Sequence, residues 1–200
     1  MTKRALVLAS QSPRRHQLLT QLGYEFSVQP SDIDESVHLS EKPADYVVRL
    51  AQEKAQVIFN KLSATEQNIT LVLGSDTCVV INNQILGKPV DLNDCINTLS
   101  LLSDAQHQVL TAIAVISLNK IVTKLVTTQV NFKALTLDEI ETYWHTGEPQ
   151  DKAGSYAIQG IAGQFVKSIS GSYSAVVGLP LYETAQVLKA LDMPLIVQTV

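Results

Sequence analysis

The spacing of hydrophobic and polar residues along the N-terminal part of the chain predicts a strand, a helix and a second strand. The short apolar run Ala5-Leu-Val-Leu-Ala9 predicts a buried strand, and Tyr24 to Val28 predicts another. Between them, Ser12 and Pro13 are typical of the N-cap and the first position of a helix. Gly23 is a natural end for that helix, because glycine readily adopts the left-handed conformation found after many helices.

The central region predicts a long helix followed by an interrupted apolar stretch. The helix is expected to begin at Pro43, since apolar side chains recur from there at near-helical spacing: Tyr46, Val47, Leu50, Ala51, Ala55 and Ile58. The β-branched and aliphatic residues over 70–81 predict strand structure, broken at Gly74-Ser-Asp-Thr77. Asn82-Asn83 is typical of a tight turn.

The C-terminal part predicts a hairpin and several helices. The pattern over residues 107–118 and 121–132 predicts the two strands of a long antiparallel hairpin, with its turn at Asn119-Lys120. Thr136-Leu-Asp-Glu139 has the form of a capping box for a helix ending at Gly147. The other predicted elements are helices over 91–102 and 180–191 and strands over 165–169 and 175–177.

This order of elements mixes strands and helices without strict βαβ alternation. It predicts a mixed α/β fold with a long, curved, partly antiparallel sheet flanked by helices. The length of 200 residues suits a single domain over residues 1–200, built as two lobes around a central cleft.

Composition and charge narrow the classes of function. The formal net charge of −4 lacks the positive surplus that a general nucleic-acid binder needs, whereas a small anionic ligand requires only a few basic groups. Cys78 and Cys95 form no metal-binding pattern and are expected to be reduced and buried. No signal peptide and no apolar run of about 20 residues is seen, so we expect a cytoplasmic protein without membrane contact.

The segment Ser10-Gln-Ser-Pro-Arg-Arg15 carries the first candidate chemistry. Arg14 and Arg15 fall in the first turn of a predicted helix, where the helix dipole disfavours cations. A bound phosphate would reverse that argument, because helix N–H groups, hydroxyls and guanidinium groups would converge on its oxygens. An ordinary helix start with solvated arginines is equally consistent with the spacing.

Asp76 lies in Leu71-Val-Leu-Gly-Ser-Asp-Thr77, directly after an apolar strand and a glycine. At the rim of a cleft it could act as a general base or help to bind Mg²⁺. Taken alone, an ordinary turn aspartate is the more common case.

Three further positions carry weaker signals. Lys88 stands in a loop bounded by Gly87 and Pro89 and could neutralise a phosphate. Lys54 lies among apolar helix positions, from which it could point inward to an anion or extend to solvent. Gln159 could read the edge of a nucleobase, because an amide both donates and accepts, or could satisfy backbone groups of its own loop. Glu35, in the acidic stretch from Asp32, and Glu53, beside Lys54, complete the candidate set.

Several familiar sites are absent from the sequence. No GxxxxGK[ST] or GxGxxG phosphate loop occurs, and no GxSxG motif occurs. The four histidines show no zinc-binding spacing.

Taken together, the motifs resemble the Maf family. The matching segments follow the order of that family across nearly the whole chain: 8–15, Gly74-Ser-Asp-Thr77, Gly87-Lys-Pro89, 151–156, Ile158-Gln-Gly160 and Gly178-Leu-Pro-Leu181. The resemblance implies a nucleoside triphosphate pyrophosphatase that depends on Mg²⁺ or Mn²⁺. It also implies an elongated α/β fold with the active site in the cleft between two lobes, and a homodimer.

The resemblance also implies roles for individual residues. Asp76 matches the catalytic acid of the family and, with Glu35, is expected to bind the metal. The positions that match the substrate site of the family are Ser10, Arg14, Arg15, Glu35, Lys54, Thr77, Lys88 and Gln159. Among these, Arg15, Thr77 and Gln159 match the specificity positions of the branch that hydrolyses dTTP and UTP, whose members tolerate modified pyrimidines such as pseudo-UTP and 5-methyl-UTP.

Two alternatives and one departure accompany the resemblance. The family was first associated with inhibition of septum formation, so a non-catalytic nucleotide sensor that regulates septum formation is the main rival. A nucleic-acid-binding module is a second rival, disfavoured by the acidic balance. Family members often carry Ser-Gly where this chain has Ser103-Asp104, which predicts a differently shaped loop there.

Overall fold

The computed structural model describes residues 4–194 and confirms the mixed α/β fold. The strands of the described residues are β1 (Ala5–Leu8), β2 (Ser27–Val28), β3 (Thr70–Ile81), β4 (Gln84–Leu86), β5 (Gln106–Ser117), β6 (Lys120–Phe132) and β7 (Val166–Ser170). The α-helices are α1 (Pro13–Gln21), α2 (Pro43–Lys61), α3 (Ala64–Gln67), α4 (Leu92–Leu102), α5 (Leu137–His145), α6 (Tyr173–Val177) and α7 (Leu181–Ala190). Three short 3-10 helices cover Glu148–Asp151, Ala153–Ser155 and Ile161–Phe165.

The strands belong to one mixed sheet in the order β2-β1-β3-β5-β6-β7, with β4 paired to β3. Strand β1 runs parallel to both β2 and β3, pairing Leu6 with Leu71 and Leu8 with Leu73. Strands β4 and β7 run antiparallel to β3 and β6, respectively. The strands thus include both parallel and antiparallel pairs, as the sequence predicts.

The chain divides into two compact units. The first comprises Met1–Asp76, Thr111–Leu125 and Gly178–Val200, and the second comprises Thr77–Leu110 and Val126–Val177. One core cluster of the first unit contains Val7, Ala9, Ala55, Ile58, Phe59, Val72 and Ile116. The core of the second unit is richer in aromatic residues and includes Phe132, Tyr143, Tyr156 and Phe165. The expectation of a single domain over residues 1–200 stays a prediction.

Several predicted element boundaries depend on caps and turns formed by neighbouring residues, and the structure confirms three of them. The Ser12 hydroxyl accepts a hydrogen bond from the Arg15 amide at the start of α1. Thr136 and Glu139 form the predicted capping box of α5. Asn82 and Asn83 both adopt positive φ, 49° and 63°, in the turn from β3 to β4.

Other local predictions are wrong. Strand β3 runs unbroken through Gly74–Thr77, because the buried polar side chains of Ser75 and Asp76 find partners within the first unit. Residues 175–177 lie in helix α6, where the Ser172 hydroxyl accepts from the Ala175 amide. Strand β2 is also shorter than the predicted 24–28.

Besides the three 3-10 helices, the structure adds one α-helix and one strand that the pattern did not indicate. Helix α3 begins with a capping box between Ser63 and Glu66, and β4 pairs antiparallel with β3. Both are short, which leaves too few residues for a periodic signal.

Asp104 occupies the loop position where the sequence departs from the family. Its φ of 49° is the left-handed conformation that a glycine adopts without steric cost. Aspartate tolerates this conformation better than most residues. The differently shaped loop stays a prediction. The Asp104 carboxylate pairs with Lys167 at 3.1 Å.

The two cysteines are free and buried, as predicted. No helix within residues 4–194 combines the length and apolar character that a membrane span requires.

Candidate active site

The candidate site of the first unit is built around Asp76 near the middle of strand β3. The Asp76 residue is only 6% exposed, and its neighbour Ser75 is fully buried. The sequence interpretation placed Asp76 after a strand, at a turn or the rim of a cleft. Its actual position is within the strand, and the carboxylate itself is held by the Lys54 ammonium.

Gly74 allows helix α2 to approach β3 closely beside Asp76. A Cβ atom at Gly74 would lie 2.2 Å from the Ala51 carbonyl oxygen and 2.9 Å from the Ala55 amide nitrogen. Both atoms belong to the backbone of α2, so no side-chain movement could make room. The absence of a side chain at 74 therefore brings the helix that carries Lys54 into reach of Asp76.

Lys54 points inward and joins two carboxylates. Its Nζ lies 2.7 Å from Asp76 Oδ1 and 2.6 Å from Glu35 Oε1. The Lys54 side chain is 8% exposed, whereas that of Glu35 is 50% exposed. Of the two orientations that the sequence left open for Lys54, the structure shows the buried one. The ammonium compensates one buried carboxylate and one that remains accessible to solvent.

Opposing effects set the proton affinity of Asp76. Burial raises the pKa of Asp76 above its usual value, because the ionised form loses its hydration. The positive charges of Lys54 and Arg15 oppose that increase in the pKa. A carboxylate with a raised pKa is a stronger base than an ordinary aspartate.

Arg15 is anchored at the same site by the backbone of a distant segment. Its Nε donates to the Gly178 carbonyl oxygen at 2.9 Å, and a terminal nitrogen donates to the Ser10 hydroxyl at 3.3 Å. The Ser75 hydroxyl donates to the same Gly178 oxygen at 3.1 Å. Burial lowers the pKa of the Arg15 guanidinium, and the negative charge of Asp76 acts in the opposite direction.

Arg14 differs from Arg15 in having no partner among the residues that the structure describes. It is half-buried, and within the described part of the chain its guanidinium forms no hydrogen bond or ion pair. The hydroxyl of Ser10 accepts from the Ser12 amide at 3.1 Å, which fixes the turn before α1. The first turn of α1 thus presents one anchored and one free guanidinium.

The loop that carries Glu35 is held on helix α2 by side chains that sequence reasoning missed. The Tyr46 hydroxyl donates to the Glu35 carbonyl oxygen at 3.0 Å, and Arg49 donates to the Ser36 carbonyl oxygen at 3.0 Å. Arg49 also forms a bidentate ion pair with Glu41, in which its Nε lies 2.6 Å from Oε1 and its Nη2 lies 2.8 Å from Oε2. Glu53, a candidate in the sequence, pairs with Arg49 at 3.2 Å in this structural network.

The remaining sequence candidates belong to the second unit. Thr77 follows Asp76 on β3 and is half-buried, whereas Lys88 and Gln159 are exposed. Neither the Lys88 ammonium nor the Gln159 amide bonds to any residue among 4–194. The alternative that Gln159 satisfies backbone groups of its own loop is therefore wrong, and its amide is free to contact a ligand.

The structure thus brings Ser10, Arg14, Arg15, Glu35, Lys54 and Asp76 into one unit. Sequence reasoning singled out neither Ser75 nor Gly178 individually, although both stand in the motifs that carry the resemblance. Among residues 4–194, no group of three or more acidic, histidine or cysteine side chains is arranged to hold a metal ion.

Comparison with known proteins identifies related chains. The sequence model of the family described as Maf-like protein matches residues 5–191. A dTTP/UTP pyrophosphatase of Colwellia psychrerythraea is 64% identical over 94% of this chain and 88% of its own length. Proteins of the same name from Pseudoalteromonas translucida and Vibrio vulnificus are 58% and 55% identical, each over 92% of this chain and 96% of their own length.

A solved structure of a nucleoside-triphosphatase, a dITP/XTP pyrophosphatase from Mycobacterium abscessus, is 12% identical over 64% of this chain and 72% of its own. Its TM-score of 0.36 is too low to bear on the fold or the function.

Proposed function

This chain belongs to the Maf-like protein family, and we propose that it is a pyrophosphatase that hydrolyses dTTP and UTP to the nucleoside monophosphate and pyrophosphate. Relatives that share more than half of its residues bear that activity in their names. The observation that carries the proposal is the cluster in which Lys54 joins the buried Asp76 to Glu35. A purely nucleotide-sensing protein has no need of a buried carboxylate with a raised pKa.

In this proposal, the basic residues bind the triphosphate. Arg14 and Lys88 have no protein partners among residues 4–194, so phosphate oxygens can take up their hydrogen bonds. Arg15 already donates to the Gly178 carbonyl oxygen, so its guanidinium is held in a fixed position in the site. Ser10 and the amides at the start of α1 add hydrogen-bond donors for an anion.

Asp76 is the proposed catalytic residue. Its carboxylate orients or deprotonates a water molecule, which attacks the α-phosphorus while pyrophosphate leaves. Lys54 has two effects, since its charge opposes the rise that burial causes in the pKa of Asp76 and it supplies positive charge as negative charge accumulates on the phosphates. Both effects require the short Lys54–Asp76 contact seen in the structure.

The two carboxylates also fit a divalent cation. Magnesium is commonly bound through one or two carboxylates, with substrate phosphates and water completing its coordination. Asp76 and Glu35 lie together at the Lys54 ammonium, which pairs with one oxygen of each, so the other oxygen of each carboxylate would contribute to such a partial oxygen set. They would hold Mg²⁺ or Mn²⁺, which when bound supplies charge neutralisation and an activated water.

We assign base selection to Gln159, with Arg15 and Thr77 as further specificity residues. The Gln159 amide is exposed and has no partner among residues 4–194, so it can donate to one atom and accept from another on the edge of uracil or thymine. Modified pyrimidines that keep this edge, such as pseudo-UTP and 5-methyl-UTP, are expected substrates. The single domain, the cytoplasmic location, the homodimer and a link to septum formation stay predictions.

The proposal is tested by measuring pyrophosphate release from a panel of canonical and modified nucleoside triphosphates. Wild type and Asp76→Asn are compared in Mg²⁺, in Mn²⁺ and in EDTA. We expect metal-dependent cleavage of dTTP and UTP, and a loss of roughly 10²–10⁴-fold in kcat for the variant.

Two results would contradict the proposal. Tight nucleotide binding without cleavage of any member would favour the sensor of septum formation. Near-normal turnover by Asp76→Asn would remove Asp76 from the catalytic role while leaving the reaction itself intact.

A further inference from the structure

Gln159 lies at the tip of a tight turn in the second unit. The Gly160 amide donates to the Ala157 carbonyl oxygen at 3.0 Å, which closes the turn around Ile158 and Gln159. The Gly163 amide donates to the Gly160 carbonyl oxygen at 3.0 Å and continues the chain into a 3-10 helix. The direction of the Gln159 side chain therefore depends on what holds this turn.

One carboxylate holds the C-terminal side of the turn. Glu148 Oε2 accepts from the Ile161 amide at 2.8 Å, and Glu148 Oε1 accepts from the Ala162 amide at 3.2 Å. These are the first two amides of the 3-10 helix, which have no partner within the helix itself. The two residues that follow Gly160 are thus bound to a single side chain outside the loop.

The fit of Glu148 depends on the glycine that follows Gln159. A Cβ atom at Gly160 would lie 2.1 Å from Glu148 Oε2 and 2.4 Å from its carboxyl carbon. The φ of Gly160 is −110°, which other residues adopt freely, so its backbone conformation does not require glycine. What requires glycine here is the space that the Glu148 carboxylate occupies.

Tyr143 connects the same carboxylate to the other side of the turn. Its hydroxyl donates to Glu148 Oε1 at 2.8 Å and accepts from the Ala157 amide at 3.3 Å. The Tyr143 side chain is buried, and burial together with the negative charge of Glu148 raises the pKa of the phenol. The hydroxyl therefore stays protonated and keeps donating to Glu148.

We propose that Glu148, acting with Tyr143, is a positioning residue that determines base selectivity by holding the Gln159 turn on both sides. The inference rests on the proposed function, since it takes Gln159 as the residue that reads the base. Glu148 itself touches no substrate in this proposal. Its effect is to reduce the orientations of the Gln159 amide to the one that matches a uracil or thymine edge.

The test compares Glu148→Gln and Tyr143→Phe with wild type and with Gln159→Glu. Glutamine keeps the size of Glu148 but places an NH₂ group against a backbone donor. We expect the ratio of kcat/KM for UTP over GTP to fall about tenfold in Glu148→Gln, the effect of one lost hydrogen bond. The KM for UTP should rise more than kcat falls. Hydrogen exchange at the Ile161 and Ala162 amides should accelerate.

Glu139→Gln is the control, because Glu139 also accepts from a backbone amide, that of Thr136, but at the start of α5, where it pairs with Lys133 as well. It should lower stability to a similar extent and leave the UTP-to-GTP ratio unchanged. If Glu148→Gln loses stability but keeps the ratio while Gln159→Glu changes it, Glu148 is structural only and the inference is overturned. If Gln159→Glu also keeps the ratio, the assignment of Gln159 as base reader fails, and the inference fails with it, although cleavage of UTP persists.

Discussion

The Asp76 region of the first unit and the Glu148 region of the second each place a carboxylate near a glycine that lacks room for a side chain. At Gly74 the obstructing atoms belong to the backbone of helix α2, whereas at Gly160 they belong to the end of the Glu148 side chain. A helix backbone cannot yield to an added methyl group, but a carboxylate can rotate away. The first arrangement is therefore fixed by packing, and the second by hydrogen bonds that can be lost one at a time.

The partners of the two carboxylates differ as well. Asp76 is paired with the Lys54 ammonium, whereas Glu148 accepts from a phenol and two backbone amides, which are neutral donors. Neutral donors hold a carboxylate in place without setting up a cluster of charges. In the proposed function, the ion-paired Asp76 region would carry the chemistry, and the Glu148 region, held by neutral hydrogen bonds, would support recognition.

Breaking the ion pair should have the largest effect. Lys54→Met keeps the size and burial of the side chain but leaves Asp76 and Glu35 without their shared cation. We expect kcat/KM for UTP to fall by roughly 10²–10³-fold, as when one group that stabilises the transition state is removed. Initial rates of pyrophosphate release measure the loss. Lys61→Met, at an exposed position of the same helix, is the control. If Lys54→Met keeps activity within threefold of wild type, Lys54 has no role in the mechanism.

Filling the space beside the Asp76 strand should have the next largest effect, on stability. In Gly74→Ala the new methyl group meets the backbone of α2, so we expect a loss of about 1–3 kcal/mol or more in the free energy of unfolding. Urea denaturation measures it. Gly87→Ala, where an added Cβ meets nothing within 4 Å, should unfold like wild type. Equal stability of the two variants would show that α2 adjusts without cost.

Filling the space beside Glu148 should have a smaller effect, and on selectivity. In Gly160→Ala we expect the Glu148 carboxylate to move aside, so that its hydrogen bonds to the Ile161 and Ala162 amides weaken. The free energy of unfolding should fall by about 1 kcal/mol or less. The preference for UTP over GTP should fall several-fold. A loss of stability as large as that of Gly74→Ala would remove the distinction between the two regions.

The smallest expected effect is the pH dependence that Asp76 adds to stability. Because burial raises the pKa of Asp76 in the folded chain, the folded protein holds this proton more tightly than the unfolded one. The resulting stabilisation is fully present below the ordinary aspartate pKa of about 4 and is lost as the pH rises through the raised pKa. The free energy of unfolding of wild type relative to Asp76→Asn should therefore decrease with pH across that window. Urea titrations of both proteins at several pH values measure this difference, and an increase with pH would contradict the raised pKa.

Much of the architecture follows from the sequence alone, because it depends on neighbouring residues. The N-cap at Ser12, the capping box at Thr136 and Glu139, and the Asn82-Asn83 turn are each fixed within about four residues of chain. Most candidate residues of the site could likewise be named from ordered motifs, whereas Glu35 and Lys54 lie outside those motifs.

Tertiary structure decided the points that depend on distant partners. The strand continues through Gly74–Thr77 because Lys54 of α2 pairs with the Asp76 carboxylate and the Gly178 carbonyl oxygen accepts from the Ser75 hydroxyl. Neither contact is visible in a local sequence pattern. The inward direction of Lys54 was open in the sequence, because a lysine among apolar residues can bury its ammonium only if carboxylates from elsewhere compensate the charge. The same reason applies to Glu148, whose role depends on backbone amides that the fold brings to it.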